Sequence, residues 1–190
     1  MGGNLPSQSP DTATAPIPVP VDFPSVYKQE FAYVWRTLRR LGVRERDLPD
    51  LAHDFFIVVF RHLSDYDRSR PIRPWLFGIA FRTVSDYRRS ARFVRETLGD
   101  APEVVDRAPA ADEQIAERQA REVVMRVLDG LDLDRRAVLV MHDLEGQPVP
   151  EIATALSIPV ATAYSRLRLA REDVAAAIKR LRAREEGGRA

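Results

Sequence analysis

The side chains that most often carry chemistry are scarce in this sequence. It contains no cysteine and only three histidines, His53, His62 and His142. Thiolate catalysis, disulfides and cysteine-based zinc sites are therefore excluded, and a histidine-rich metal site is not expected. Asp50 and Asp54 lie four residues apart on one predicted helix face, but nothing else describes the pocket of a paired-carboxylate hydrolase. Without a glycine-rich phosphate loop or a nucleophile motif either, we expect no catalytic residue, no metal, no cofactor and no enzyme.

Arginines are the polar side chains with a clear pattern. From residue 150 the chain runs PEIATALSIPVATAYSRLRLAR. Ile152, Ala153 and Leu156 have the spacing of one buried helix face, the turn at 157–159 contains Pro159, and Thr162 is placed to cap a second helix. This pattern is that of a helix-turn-helix, whose second helix enters the DNA major groove, although an unrelated helical hairpin also fits it. The outer faces of the second helix carry Tyr164, Ser165, Arg166, Arg168 and Arg171.

The net charge of +1 conceals a strong segregation of charge along the chain. Residues 24–95 carry a net charge of +7, residues 96–122 carry −5, and residues 163–184 contain seven bases and two acids. Lysines and arginines neutralise phosphates and release their counterions, so a basic block suits a nucleic-acid partner. The charge pattern therefore predicts two functional blocks separated by an acidic linker.

Helices alone are predicted to position these residues. A first helix runs from Ser25 and ends near Gly42, a second follows Pro49, and a third runs from Trp75 to about Arg95. No segment alternates as a β-strand does, so we expect an all-α fold of two small helical domains. The helices of the second domain are expected at about Asp112–Leu128, Asp134–Leu144, Pro150–Leu156 and Thr162–Leu181.

Composition also sets the expected boundaries. Residues 1–24 contain six prolines, which indicates a disordered arm. The two domains are expected at 25–95 and 123–184, with the acidic linker at 96–122 between them and a short tail at 185–190. No stretch approaches the roughly 18 apolar residues of a membrane span, so we expect no membrane insertion and a cytoplasmic location.

Two segments resemble one protein family. Residues 128–171, LDGLDLDRRAVLVMHDLEGQPVPEIATALSIPVATAYSRLRLAR, are similar to the promoter-binding C-terminal domain of bacterial sigma factors of the extracytoplasmic-function (ECF) type. Residues 50–89, DLAHDFFIVVFRHLSDYDRSRPIRPWLFGIAFRTVSDYRR, resemble the N-terminal conserved domain of the same family. The resemblance implies an alternative sigma factor that binds core RNA polymerase and directs promoter recognition, local DNA opening and transcription initiation. A stand-alone helix-turn-helix regulator is the alternative, but it leaves the hydrophobic helix at 50–63 unexplained.

The resemblance implies a role for three groups of residues. The helix with Asp50, Leu51, His53, Asp54, Phe56 and Ile57 would bind core polymerase. The minus-10 promoter element would be contacted by Asp67, Arg70, Arg73, Trp75, Arg82, Asp86, Arg88 and Arg89. The minus-35 element would be contacted by Thr162, Tyr164, Ser165, Arg166, Arg168 and Arg171. The resemblance also implies that the acidic linker follows the RNA exit path and that an anti-sigma factor is a partner.

Several of these residues have a structural alternative. Trp75 is either a core residue or a platform on which a base stacks, and the apolar run Phe55–Phe60 is mostly core with one or two residues left for polymerase. Arg88, Arg89 and Arg92 could form a solvated helix face instead of a DNA contact.

Five positions depart from the usual family pattern. They are His53 in place of glutamine, Arg82 in place of asparagine, Ser157 and Ala161 in place of glycine, and Tyr164 in place of a basic residue. Ser157 is expected to adopt a slightly strained left-handed conformation. These departures predict an unusual promoter sequence.

Overall fold

The computed structural model describes residues 22–98 and 115–187, and side chains within residues 22–90 and 120–183. Every regular element in these ranges is helical, which confirms the all-α class. None of the described helices is long and apolar enough to cross a membrane. Residues 1–21 of the expected arm and residues 99–114 of the expected linker lie outside the described residues.

Three helices form the first half, namely α1 (Phe23–Arg40), α2 (Leu48–His62) and α3 (Ile72–Leu98). Short 3-10 turns at Glu45–Asp47 and Leu63–Asp65 flank α2. Helix α1 begins inside the segment expected to be disordered, because the Asp22 carboxylate accepts a 2.8 Å hydrogen bond from the backbone N–H of Ser25. The helix ends as predicted, with Gly42 following it at a φ of +93°.

Helix α3 begins at Ile72, three residues before the predicted start at Trp75. Pro74 therefore lies in its first turn, where the missing N–H of proline removes no helical hydrogen bond. The spacing of its apolar residues predicts one buried stripe, made of Trp75, Leu76, Ile79, Ala80, Val84 and Tyr87. This prediction is partly wrong, because Trp75 and Tyr87 are only half-buried and Phe77, which is not in the stripe, is fully buried.

The second half contains α4 (Ile115–Asp129), α5 (Leu133–Leu139), α6 (Val149–Leu156) and α7 (Val160–Gly187). A π-helical turn, Val140–Leu144, directly continues α5. Helices α6 and α7 form the predicted helix-turn-helix. Ile152, Ala153 and Leu156 are buried, as their spacing indicated, and so are Leu167 and Ala170 of α7.

The predicted capping role of Thr162 is wrong. Helix α7 begins at Val160, and the carbonyl of Pro159 accepts the backbone N–H of Ala163 at 3.1 Å. Pro159 ends the turn with a φ that already suits a helix start, so Thr162 lies inside the first turn of α7.

Ser157 has the left-handed conformation that the sequence predicted, with φ 56° and ψ 46°. A serine pays a steric cost there that glycine does not. Ser157→Gly is therefore expected to raise the free energy of unfolding by up to about 1 kcal/mol. Ser90→Gly, an exposed site within α3, is the matched control and is expected to lower it by roughly 0.5 kcal/mol. Equal shifts in urea denaturation for both variants would contradict this account.

The two halves pack directly on each other, which the sequence did not predict. Their buried side chains form one continuous hydrophobic cluster, and α3 lies against α6. A Cβ atom on Gly78 of α3 would lie 2.5 Å from the backbone carbonyl oxygen of Ala155 in α6. The helices therefore approach closely only because residue 78 has no side chain.

Candidate functional site

A cavity of about 590 Å³ lies where the loop between α2 and α3 faces α6. It brings together four of the residues predicted to contact the minus-10 element, namely Asp67, Arg70, Trp75 and Arg82. The remaining walls are formed by Asp65, Tyr66, Pro71 and Pro74 of the first half and by Pro150, Glu151, Thr154, Ala155 and Ser157 of the helix-turn-helix.

Hydrogen bonds within the loop shape the cavity. The Asp67 carboxylate accepts the N–H of Ser69 at 3.0 Å and its hydroxyl at 2.7 Å, and these bonds hold the pKa of Asp67 below its usual range. The Tyr66 hydroxyl donates to the carbonyl of Arg70, and its ring centroid lies 5.2 Å from that of Trp75. The half-buried Trp75 therefore supports the loop and also lines the cavity, where an aromatic ring suits stacking with a flat base.

The other predicted minus-10 residues lie outside this cavity. Asp86 and Arg89 form an exposed ion pair of 3.4 Å further along α3. The Arg88 side chain instead packs back against the end of α1. Its guanidinium donates to the carbonyl of Leu41 at 2.8 Å, and burial lowers the pKa of Arg88. Sequence reasoning missed this internal partner because no local pattern distinguishes Arg88 from Arg89.

The predicted polymerase face of α2 is mostly accessible. Asp50, His53 and Asp54 are exposed, and Leu51 and Ile57 are half-buried.

Phe56 differs from the rest of this group because it is only 4% exposed. Its ring packs against Phe23, Tyr27 and Phe31 with centroids 4.7–6.4 Å apart, which makes it a core residue. Phe60, one turn further along, is 65% exposed and was missed by the sequence reasoning. The apolar residues of α2 lie on all sides of the helix, so the sequence pattern does not indicate which side faces solvent.

The predicted minus-35 residues line the first turns of α7, and its arginines are held by carboxylates of the same half. Arg166 donates to Asp134 at 2.7 Å, Arg171 contacts Asp143, and Arg168 pairs with Glu172 in the next turn. Among the other members, Tyr164 and Ser165 are exposed and Thr162 is half-buried.

The pairing of Arg166 and Arg171 depends on α5 and the π-helical turn that follows it. Asp134 and Asp143 come from these elements, and sequence reasoning missed both because they lie about 30 residues from their partners. The Nδ1 atom of His142 also lies 2.7 Å from the Asp143 carboxylate. A second cavity, of about 520 Å³, opens here between His142, Tyr164 and Arg168. Within the part of the chain that the structure describes, no three acidic or histidine side chains are grouped as a metal site.

Family models match both halves of the chain. The model for sigma-70 region 2 matches residues 26–94, and the model for sigma-70 region 4 matches residues 121–174. The sigma factor NccH of Alcaligenes xylosoxydans xylosoxydans is 32% identical over 146 residues, which span 74% of this chain and 78% of NccH. The sigma factor CnrH of Cupriavidus metallidurans is 33% identical over 146 residues, which span 73% of this chain and 76% of CnrH. The ECF sigma factor SigL of Mycobacterium tuberculosis is 29% identical over 147 residues, 77% of this chain and 82% of SigL.

Two solved structures have a similar fold. CnrH in complex with the cytosolic domain of CnrY aligns with a TM-score of 0.59 at 25% identity, over 83% of this chain and 87% of CnrH. The sigma factor RpoE of Bartonella quintana, in complex with the anti-sigma factor NepR, aligns with a TM-score of 0.63 at 22% identity, over 80% and 96% of the two chains. With both region models matched in order and relatives of this similarity, the chain belongs to the sigma-70 family of RNA polymerase sigma factors, in its ECF group.

Proposed function

We propose that this chain is an alternative sigma factor whose first half binds core RNA polymerase and opens the minus-10 element while its helix-turn-helix reads the minus-35 element. One observation carries the proposal: a single chain holds a cavity to which region 2 contributes two aromatic rings and two arginines, and an arginine-bearing second helix in region 4. In this role the protein performs no reaction of its own and acts in the cytoplasm, where polymerase transcribes.

Core polymerase binding is assigned to the exposed face of α2. Asp50, His53 and Asp54 offer polar contacts, with Leu51 and Ile57 partly buried beneath them. Phe56 acts from within by holding α2 against α1, so it supports the face without touching the partner.

The minus-10 strand is assigned to the loop cavity. A base extruded from the duplex loses its stacking, which costs a few kcal/mol, and an aromatic pocket offsets this cost. Trp75 and Tyr66 supply the aromatic surface, and Arg70 and Arg82 supply positive charge for the strand. Arg73 and Arg89 extend this positive charge along α3, and Asp86 orients Arg89 through their ion pair. Arg88 reaches DNA only if it leaves the Leu41 carbonyl.

Binding of the minus-35 duplex is assigned to α7. The proposed contacts are Arg166 together with Thr162, Tyr164, Ser165, Arg168 and Arg171. The Arg166 guanidinium donates a 2.7 Å hydrogen bond to Asp134, so its orientation is set before DNA binds.

Arg166→Ala is expected to remove base discrimination, at a cost of about 1–3 kcal/mol on the preferred minus-35 sequence and less on other sequences. Arg168→Ala is the matched control, because its exposed side chain suits a phosphate contact that weakens binding to every sequence alike. Competition binding of holoenzyme to minus-35 variants distinguishes the two. Uniform weakening by Arg166→Ala would make it a phosphate contact as well.

Transcription in vitro tests the proposed function directly. Purified chain added to core polymerase is expected to direct initiation from a subset of a promoter library, whereas core polymerase alone does not. The family departures at Arg82, Ser157, Ala161 and Tyr164 predict that the selected promoters differ from the commonest family motif.

A stand-alone helix-turn-helix regulator is the second candidate. It would bind double-stranded operator DNA tightly without polymerase and would fail to be retained by immobilised core enzyme. That pair of results would contradict the sigma factor assignment.

We also propose that a partner protein sequesters the chain, as an anti-sigma factor does. The solved structures of CnrH with CnrY and of RpoE with NepR show two sigma factors of this fold held in complexes. The exposed rings of Tyr27 and Phe60 offer an apolar surface for such a partner on the first half.

A further inference from the structure

Glu145 joins the two halves through its side chain. It follows the π-helical turn, at the start of the connection to α6, and its side chain is only 10% exposed. The carboxylate crosses into the first half, where Oε2 accepts the Tyr33 hydroxyl at 2.8 Å and Oε1 lies 3.9 Å from Nη1 of Arg40. An acidic side chain of region 4 is therefore inserted into region 2.

The cleft that receives Glu145 is rich in positive charge. Arg36, Arg40 and Arg73 all act electrostatically on the carboxylate. The Arg73 guanidinium lies 5.0 Å from the centroid of the Tyr33 ring and donates to the Glu30 carboxylate at 3.0 Å. Three arginines with the Glu30 carboxylate leave a net positive cleft when Glu145 is withdrawn, which is the electrostatic character of an anion site.

The Glu145 carboxylate fits this cleft poorly. Burial raises its pKa in spite of the Tyr33 hydroxyl and the surrounding arginines. Its Oε1 atom is buried and accepts no hydrogen bond, since Arg40 remains at ion-pair distance. A buried acceptor without a donor is costly, so a better-placed anion can displace this carboxylate.

The cleft adjoins the cavity assigned to the extruded base. Arg73 occupies the first turn of α3 between Pro71 and Trp75, both of which line that cavity. The opposite wall belongs to α6, which is joined to Glu145 by a short turn. Withdrawal of Glu145 and opening of the base cavity are therefore expected in one movement of region 4.

We propose that the cleft of Tyr33, Arg36, Arg40 and Arg73 binds a backbone phosphate of the promoter strand, and that Glu145 occupies this site while the two halves are packed together. The inference rests on the proposed function, because it places a phosphate of the strand that region 2 binds. The non-bridging oxygens of a phosphate can take both the Tyr33 hydroxyl and the Arg40 guanidinium, whereas the carboxylate satisfies only the first. Region 4 thus limits access of DNA to region 2 until it moves away.

The test uses the full chain and a fluorescently labelled single-stranded oligonucleotide of mixed sequence, about 12 nucleotides long. Glu145→Gln keeps an acceptor for Tyr33 but removes the competing charge. We expect it to bind the oligonucleotide about fivefold to tenfold more tightly, as when a binding-competent state rises from a minor to the major population. Unchanged affinity in fluorescence anisotropy would overturn the inference.

A matched pair of variants tests the phosphate site itself. In the Glu145→Gln background, Arg40→Gln is expected to reduce the slope of log affinity against log salt by about 0.7, the value for one phosphate on a single strand. Arg39→Gln removes the same charge from the neighbouring position, where Arg39 pairs with Glu45 at 3.0 Å, and is expected to leave the slope nearly unchanged. Equal slopes of log affinity against log salt for Arg40→Gln and Arg39→Gln would overturn the assignment of a phosphate to this cleft.

These outcomes are separable from the failure of the proposed function. The same Glu145→Gln variant is added to core polymerase in the transcription assay. If it directs initiation but binds the oligonucleotide no more tightly than the unmodified chain, only the inference about Glu145 fails. If neither chain directs initiation, the proposed function fails.

Discussion

Phe77→Ala is expected to lower the free energy of unfolding by about 3–5 kcal/mol, enough to unfold a large fraction of a marginally stable protein. The Phe77 side chain is fully buried in α3, which contacts α1 and α2 as well as α6. Its truncation loses the transfer free energy of the ring and leaves a cavity that the surrounding helices can fill only in part. Urea denaturation followed by circular dichroism measures the change.

Phe60→Ala is the control for this prediction, since it deletes the same ring from a position that is 65% exposed. Its expected cost is below about 1 kcal/mol, because only part of the ring packs, against Phe23. Comparable losses from the two variants would contradict the assignment of Phe77 to the core and of Phe60 to the surface.

Gly78→Ala is expected to separate the two halves while each keeps its helices. The added Cβ would lie 2.5 Å from the carbonyl oxygen of Ala155, so the contact between α3 and α6 must widen. Overpacking of this kind costs about 1–3 kcal/mol, which corresponds to a fivefold or greater rise in the separated population. Relative to glycine, alanine also stabilises the helical conformation of α3 by up to about 1 kcal/mol. The expected loss of stability therefore comes from the interface between the two halves.

Small-angle scattering of the free chain measures this separation as an increase in the radius of gyration at unchanged helical content. Gly130→Ala is the control, because a Cβ there would meet the Val127 carbonyl at an ordinary contact distance of 3.4 Å. An unchanged scattering profile for Gly78→Ala would show that the interface absorbs the methyl group. In that case the close approach of α3 and α6 would not control how the halves separate.

Most of the secondary structure was predictable from local patterns. Apolar spacing located the helices, and Gly42 and Ser157 marked turns whose positive φ values the structure contains. The misplaced starts of α1, α3 and α7 share one cause. Pro24, Pro74 and Pro159 were treated as helix breakers, but each lies just before or within a first turn, where proline costs no hydrogen bond.

The candidate sites were predictable in residue type but not in arrangement. Adjacent arginines with the same local surroundings have opposite fates, since Arg88 donates to the Leu41 carbonyl and Arg89 remains exposed. The apolar run of α2 likewise does not reveal that Phe56 faces α1 while Phe60 faces solvent. Helical periodicity gives relative directions around one helix, but the direction of the core depends on which helices pack beside it.

The sequence by itself determined the all-α class, the helix-turn-helix and the segregation of charge into a basic block and an acidic linker. These features depend on the types and spacing of residues close together in the chain. Only the tertiary structure decided that region 4 packs on region 2, that α6 walls the base cavity and that Glu145 reaches Tyr33. Tyr33 and Glu145 are 112 residues apart, and their contact depends on how the two halves pack, which no local pattern encodes.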